Sequence, residues 1–430
     1  MTDHAPRFET LEDWLRWQES LHPSAIDLGL ERVRAVFRRL REGRPPFAVV
    51  TVAGTNGKGS SVAMLAAILG AAGYRVGSYT SPHLFAYNER VVIDGVPVDD
   101  ATLCAAFARV DAARVEEGDE VSLTYFEFGT LAALDIFWEA GLDIAILEVG
   151  LGGRLDAVNI VAPDVALITA IDLDHQEYLG PDRECIAREK AGILRPLRPA
   201  VCSDPDVPRA LRETAEELGA PLYALGEDFN IVTHDADWNW LGPGQVRRAL
   251  PWPALRGTHQ LRNAAGVLMA LQLLGERFYL SQAQVREGLQ AARVPGRFQV
   301  EQGGERTWVF DVAHNPQAAA ALADNLRAFT GGRPCQAVYG ALRDKDSAAV
   351  VAALDGLVAH WWLAPLGGAR GCEAGSLQAA AGLAPARATA CETLAAAMAG
   401  AARRAGPGGV VLVFGAFQLV AEAWPLRGAV

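Results

Sequence analysis

At 430 residues, half of them hydrophobic and 21% charged, the chain can build two or three globular domains and is neither a disordered nor a disulfide-stapled protein. The 51 acidic and 39 basic residues leave a net charge of -12, a field that repels phosphate backbones and anionic lipid and argues against nucleic acid or a membrane surface as partner. The six cysteines, Cys104, Cys185, Cys202, Cys335, Cys372 and Cys391, are scattered without a C-x-x-C pair, as in a reduced compartment.

The N-terminus from Met1 to Trp17 mixes acids, bases and aromatics and lacks the apolar core of a signal peptide. No later stretch approaches the ~18 uninterrupted apolar residues of a membrane span, so a soluble, cytoplasmic protein is expected. Short apolar runs then alternate with amphipathic or Ala-rich stretches, the pattern of parallel strands joined by crossover helices, and the fold class is α/β. Residues 47–53 predict a buried strand, 60–70 the helix after it and 75–79 the next strand; 142–149 and 165–171 add two more, giving one doubly wound, mostly parallel sheet. The polar, tryptophan-containing stretch 228–241 predicts an antiparallel hairpin or flap, and 263–274 resumes a helix. Val294-Pro295-Gly296-Arg297 breaks the chain. A second alternation follows at 308–311, 337–339, 361–364 and 410–414, so the expected domains are 1–296 and a smaller, Rossmann-like 297–430.

Between the first strand and its helix lies Gly54-Thr55-Asn56-Gly57-Lys58-Gly59-Ser60-Ser61. Glycines let backbone N–H groups point inward, the helix N-terminus adds partial positive charge and a lysine reaches the outer phosphates, so this is a P-loop-type phosphate cradle. It departs from the strict pattern in having Val52 at the leading Gly and Gly59 between Lys and Ser. Glu148 ends a strand before Val149-Gly150-Leu151-Gly152-Gly153, on the edge where open α/β sheets bind ligands; it reads as a Mg²⁺ ligand or as a helix cap. His175 follows the next strand on the same edge, as a ligand or as a structural histidine. Lys190, in Arg188-Glu189-Lys190-Ala191-Gly192, reads by itself as part of a solvated helix face.

These residues resemble the bacterial dihydrofolate synthase/folylpolyglutamate synthase family, ATP-dependent amide ligases of the Mur ligase superfamily. The resemblance runs in order through Ile26-Asp27-Leu28-Gly29, the phosphate loop, Ser81-Pro82-His83-Leu84, Thr124-Tyr125-Phe126-Glu127, the Glu148 segment, Asp174-His175 and Glu189-Lys190-Ala191-Gly192. It continues through Gly257-Thr258-His259-Gln260 with Asn263, Pro295-Gly296-Arg297, Asp311-Val312-Ala313-His314-Asn315-Pro316 and Asp344-Lys345-Asp346.

The resemblance implies an N-terminal ATP-binding domain with a pterin site and a C-terminal glutamate ligase domain. ATP would be held by Gly54, Thr55, Asn56, Gly57, Lys58, Gly59 and Ser60, with Asn263, Arg297, Asp311 and His314. Two Mg²⁺ ions would be held by Ser81, Glu148 and His175, and Lys190, carboxylated to a carbamate, would orient the second; Lys58, Lys190 and His175 are the implied catalytic residues. Ile26, Asp27, Leu28, Thr124, Tyr125, Phe126, Glu127, Leu155, Asp156 and Ala157 would line the pterin site. The implied substrates are dihydropteroate, reduced folates, L-glutamate and ATP, and the implied state a monomer. Thr51, Val312 and Ala416 stand where relatives carry His, Gly and Ser. Two rival readings are a cell-wall Mur ligase, which the pterin-type segments oppose, and a nucleotide-binding regulator, which has no use for Glu148, His175 and Lys190 together.

Overall fold

Ala48 to Ala53 are all enclosed, as a strand covered on both sides of a parallel sheet must be. In the computed structural model, which describes residues 6–115, 120–368 and 370–428, this run is the first strand of an eight-stranded sheet. Its strands are β1 (Ala48–Ala53), β2 (Val76–Tyr79), β3 (Val91–Ile93), β4 (Val96–Pro97), β5 (Ile144–Glu148), β6 (Val165–Ile168), β7 (Ala200–Cys202) and β8 (Leu222–Ala224), in the order β4-β3-β2-β5-β1-β6-β7-β8. All neighbours are parallel except the pairs β2–β3 and β3–β4. The register sets Val52 beside Glu148 and Tyr79 beside Leu147. Gly54, Ser81, Glu148 and Thr169 therefore emerge on the same edge of the sheet, at the point where strand order reverses and such sheets take their ligands.

The tryptophan-rich stretch forms an antiparallel sheet of β9 (Asn230–Thr233), β10 (Trp238–Gly242) and β11 (Gln245–Leu250). Trp238 and Trp240 are fully buried, and the Trp240 indole donates to the Ala265 carbonyl at 3.1 Å, so the flap is fastened to the helix Thr258–Leu273. The third strand is beyond the predicted hairpin because its Arg247 and Arg248 mask any apolar alternation.

A six-stranded sheet follows: β12 (Gln299–Gly303), β13 (Arg306–Asp311), β14 (Cys335–Tyr339), β15 (Val358–Leu363), β16 (Ala388–Ala390) and β17 (Val410–Phe414), in the order β12-β13-β17-β14-β15-β16. Only β12 is antiparallel, and it has no counterpart in the sequence reading, since Gln299-Val300-Glu301-Gln302-Gly303 is a polar edge strand. Each sheet has its own hydrophobic core, with Trp14 and Phe128 in the first and Trp361 and Phe414 in the second.

By contacts the chain separates into two units. One runs to Ala254 and resumes at Leu261–Arg293; the other takes Leu255–Gln260 and continues from Val294. The sequence reading leaves 255–260 in the first domain. Its place in the second unit rests on the Arg256 guanidinium, 5.4 Å over the Phe329 ring, and on Asn325 Nδ2, which donates to the Arg256 carbonyl at 3.3 Å. All six cysteines are free thiols, and among the described residues no helix is long and apolar enough to cross a membrane.

Candidate functional site

The loop after β1 turns into the helix Lys58–Ala71 through Gly57, whose φ of +92° and closeness to Asn263 exclude a side chain: a Cβ there would lie 2.6 Å from Asn263 Oδ1. Asn263, from the helix Thr258–Leu273, is thus seated against the phosphate loop. The loop is pinned to the segment after β6. Thr55 N donates to the Ala170 carbonyl at 2.7 Å, Thr169 Oγ1 to the Asn56 carbonyl at 2.7 Å, and the Thr55 hydroxyl bridges the Asp172 backbone. Lys58 is the first helical residue and half-buried; its Nζ donates to the carbonyls of Gly54 at 2.9 Å and Thr55 at 3.1 Å. Gly59 and Ser60 complete the first turn, which holds no acidic residue of its own, so the positive end of the helix dipole faces the loop.

Glu148 is 5% exposed at the end of β5. Its Oε2 accepts from Ser81 N at 3.3 Å, and its carboxylate lies 3.7 Å from where a Gly59 Cβ would sit, facing the head of the same helix. It joins the loop after β2 to the phosphate loop. His175 is the N-cap of the short helix Gln176–Leu179, with a left-handed φ of +50° and its own N–H donated to Asp174 Oδ1 at 2.9 Å. Among the described residues no group of three or more His, Cys, Asp or Glu side chains is arranged to hold a metal ion.

Lys190 is not on a solvated face. It lies near the end of the helix Arg183–Ala191 and is 3% exposed. Burial, reinforced by the charge of Lys58 and opposed by Asp174 and Asp156, brings its pKa down to about 7. Glu189 does not neutralise it, being paired with Arg154 at 2.8 Å. The lysine is held in place by a close backbone crossing. Arg154 N donates to the Glu189 carbonyl at 2.8 Å, and a Cβ on Gly153 would meet that oxygen at 2.9 Å. The whole sequence contains three lysines, Lys58, Lys190 and Lys345, and two of them are here.

All ten residues assigned to the pterin site line one cavity of about 280 Å³. Ile26, Asp27 and Leu28 come from the loop before the helix Glu31–Leu40, and Thr124 to Glu127 form the capped head of the helix Tyr125–Glu139. Thr124 and Glu127 cap each other reciprocally, and Glu127 also takes Arg32 at 3.0 Å, which fixes that wall. Asp156 accepts from Leu151 N at 2.8 Å and Val158 N at 3.0 Å, and burial lifts its pKa to about 6 despite those bonds. Ser81 also lines the cavity, so the cavity and the Glu148 cluster meet at that residue. Sequence reasoning misses Arg90, Pro82 and Gly150 in the lining. Arg90 sits among ordinary neighbours, and nothing in its residue type points to the cavity.

In the second unit Asp311 ends β13, is 8% exposed, and accepts from Phe298 N at 2.8 Å and Ala313 N at 2.7 Å. Burial raises its pKa against the opposing charge of Arg297. The Arg297 guanidinium lies 5.6 Å from the Phe417 ring and the His314 ring 6.4 Å from it, so Arg297 and His314 converge on one aromatic side chain. Ala416 is the N-cap of the helix Phe417–Ala423 and offers it no side-chain hydrogen bond.

Two family descriptions match the chain: Mur ligase middle domain over residues 52–238 and Mur ligase, glutamate ligase domain, over residues 296–417. A dihydrofolate synthase/folylpolyglutamate synthase of Escherichia coli is 47% identical over 367 residues, 85% of this chain and 84% of the relative. The solved structure of Escherichia coli FolC in complex with DHPP and ADP superposes with a TM-score of 0.90 at 42% identity, covering 98% of this chain and 99% of that one. The Yersinia pestis bifunctional folylpolyglutamate synthase/dihydrofolate synthase with AMPPNP and Mn ion gives 0.89 at 44% identity, with 98% and 99% covered. Identity of this order over nearly the full length, on the same two α/β sheets, leaves no room for the cell-wall alternative: the chain belongs to the dihydrofolate synthase/folylpolyglutamate synthase family of Mur ligases.

Proposed function

We propose that the chain joins L-glutamate to the carboxylate of dihydropteroate and of reduced folates at the expense of ATP. The γ-phosphoryl group passes to an oxygen of the acceptor carboxylate, giving an acyl phosphate and ADP. The amine of glutamate then attacks the acyl carbon, the C–O bond to phosphate breaks, and amide, phosphate and a proton are released. The observation that carries this reading is the double role of Ser81, which lines the acceptor cavity and binds Glu148 at the foot of the phosphate loop. An acceptor carboxylate at the inner end of the cavity is thereby brought to the place where phosphate is transferred.

Each residue has a task in this scheme. Lys58 and the N–H groups of the helix head take the phosphates of ATP, so charge that develops during transfer meets donors already oriented. Asn263 holds the loop that carries them. Ser81, Glu148 and His175 would hold Mg²⁺; the buried carboxylate of Glu148 suits a hard cation. Bound there, the metal would neutralise phosphate charge. Lys190, with its lowered proton affinity, reacts as the free amine with CO₂, and the resulting carbamate supplies an anion to the same cluster. Arg297, Asp311 and His314 are assigned to the nucleotide by family resemblance. The unit that runs to Ala254 and resumes at Leu261–Arg293 binds ATP and the pterin, and the unit that continues from Val294 ligates glutamate. The enzyme works as a monomer in the cytoplasm, a reading supported by family resemblance and by the six free thiols.

The test is a steady-state assay with ATP, Mg²⁺, L-glutamate and either dihydropteroate or tetrahydrofolate, with products resolved by mass. Glutamate-dependent release of ADP with both acceptors, each inhibiting use of the other, is expected. Release with tetrahydrofolate alone would reduce the enzyme to chain extension, and release with neither would refute the ligase reading.

A further inference from the structure

The acceptor cavity contains one cation that the chain itself does not neutralise. Arg90 closes the short turn Tyr87–Arg90 before β3, lines the cavity and is 8% exposed. Its Nε donates to His83 Nδ1 at 2.9 Å, and its guanidinium carbon lies 5.2 Å from the Tyr87 ring and 5.5 Å from the Tyr125 ring. His83 accepts through Nδ1 and, as an imidazole, brings no negative charge to the pair. No carboxylate of the described residues forms an ion pair with Arg90, and the acids around the cavity are each engaged elsewhere. Asp27 and Glu127 pair with Arg32, Asp156 takes two backbone N–H groups, and Glu89 takes those of Leu84, Phe85 and Ala86. Aromatic faces compensate a guanidinium only in part, and a buried cation without an anion is costly, so the chemistry of the cavity calls for an anionic group on the ligand.

We propose that Arg90 receives the α-carboxylate of the terminal glutamate of a folate acceptor and so sets the enzyme's preference for chain extension over the first glutamylation. The inference rests on the function proposed above. Dihydropteroate has one carboxylate, and it is the group to be phosphorylated; a guanidinium fork closed on it would withdraw the electron pair that must attack phosphorus. A glutamylated folate has two on its last residue. The γ-carboxylate reacts, and the α-carboxylate is a spectator that needs a partner when it leaves water. A planar fork held by His83 and by Tyr79, Tyr87 and Tyr125 is pre-organised for such a carboxylate.

The experiment measures kcat/KM for tetrahydrofolate and for dihydropteroate in the wild type, Arg90→Gln and Arg90→Lys, and for an α-amide analogue of tetrahydrofolate in the wild type and Arg90→Gln. In Arg90→Gln the ratio of tetrahydrofolate to dihydropteroate should fall roughly 10- to 100-fold, chiefly through KM for tetrahydrofolate, as expected for a lost charge-assisted pair. Arg90→Lys, with the charge but not the fork, should fall between. The α-amide analogue should lose a similar factor with the wild type and nothing further with Arg90→Gln. An unchanged ratio, or wild-type use of the analogue as good as that of tetrahydrofolate, would overturn the proposal; the analogue arm decides it even if the variants fold poorly. A wild type inert toward both acceptors would overturn the ligase reading and this one with it, a result distinct from an unchanged ratio.

Discussion

The head of the helix Lys58–Ala71 and the tail of the helix Arg183–Ala191 each present a lysine to the same sheet edge, and the two ammonium groups are treated in opposite ways. Lys58 is half-buried, bonded to two loop carbonyls and set at a helix start, where positive charge accumulates and anions are welcome. Lys190 is enclosed, has no adjacent glutamate to balance it and feels the charge of Lys58, so its pKa is brought down to about 7. One residue type thus supplies a fixed cation at one helix end and a titrating amine at the other. Desolvation makes the difference. In a chain with only three lysines and many arginines, this division is itself informative, because a guanidinium can serve as a fixed cation but cannot lose its proton to become a nucleophilic amine.

The largest effect is expected where charge is required outright. Lys58→Ala should lower kcat by roughly 10³-fold, since a pre-organised donor to developing phosphate charge is removed, while the free energy of unfolding stays within about 1 kcal/mol of the wild type. It should also raise the pKa of Lys190, because the second-largest influence on that group disappears; ¹³C-bicarbonate NMR of the carbamate signal against pH reads the shift. A titration unmoved by Lys58→Ala would break the electrostatic link between the two helix ends.

Lys190→Ala and Lys190→Arg should each cost on the order of 10²-fold, with short carboxylic acids restoring part of the alanine variant's activity and none of the arginine variant's. For the wild type at limiting bicarbonate, activity should rise with pH through about 7, where the amine becomes free, and added bicarbonate should move the rise to lower pH. The same shift acts on stability. The folded pKa lies below the unfolded value of 10.5, so enclosing Lys190 weighs fully against folding below pH 7 and is progressively relieved between pH 7 and 10.5. A fully active alanine variant would reduce Lys190 to a packing residue.

Glu148→Gln keeps shape and removes charge at the point where the two regions meet. A loss of roughly 10- to 100-fold, only partly recovered by raised Mg²⁺, is expected in kcat/KM for ATP; full activity at ordinary Mg²⁺ would deny the carboxylate a metal. The smallest effects lie outside this electrostatic contrast. Thr51 is buried in β1 with its hydroxyl unbonded, and Thr51→Val should be neutral or stabilise by up to about 1 kcal/mol in urea unfolding. Ala416→Ser would give the helix Phe417–Ala423 the cap it lacks, for about 0.5 to 1 kcal/mol. If either substitution altered turnover as strongly as the lysine variants, the separation between charged site and neutral scaffold would be wrong.

The amino-acid sequence determines what depends on neighbours in the chain. The alternation of buried runs and helices, the glycine-bearing turn after β1 and the carboxylate at the end of β5 are all patterns of a few residues, and each has its predicted place in the structure. Strands β11 and β12 escape such reading because they are polar edges, where ladder hydrogen bonds rather than apolar alternation hold the chain. Tertiary structure alone decides that residues near 26, 125 and 156 wall one cavity, that 255–260 leaves the first unit, and that Lys190 and Arg90 are enclosed. The physical reason is the same in each case: burial and the fields of distant charges come from residues far apart in the chain, and a side chain's proton affinity and its need for a partner follow from those surroundings, not from its identity or its neighbours in sequence.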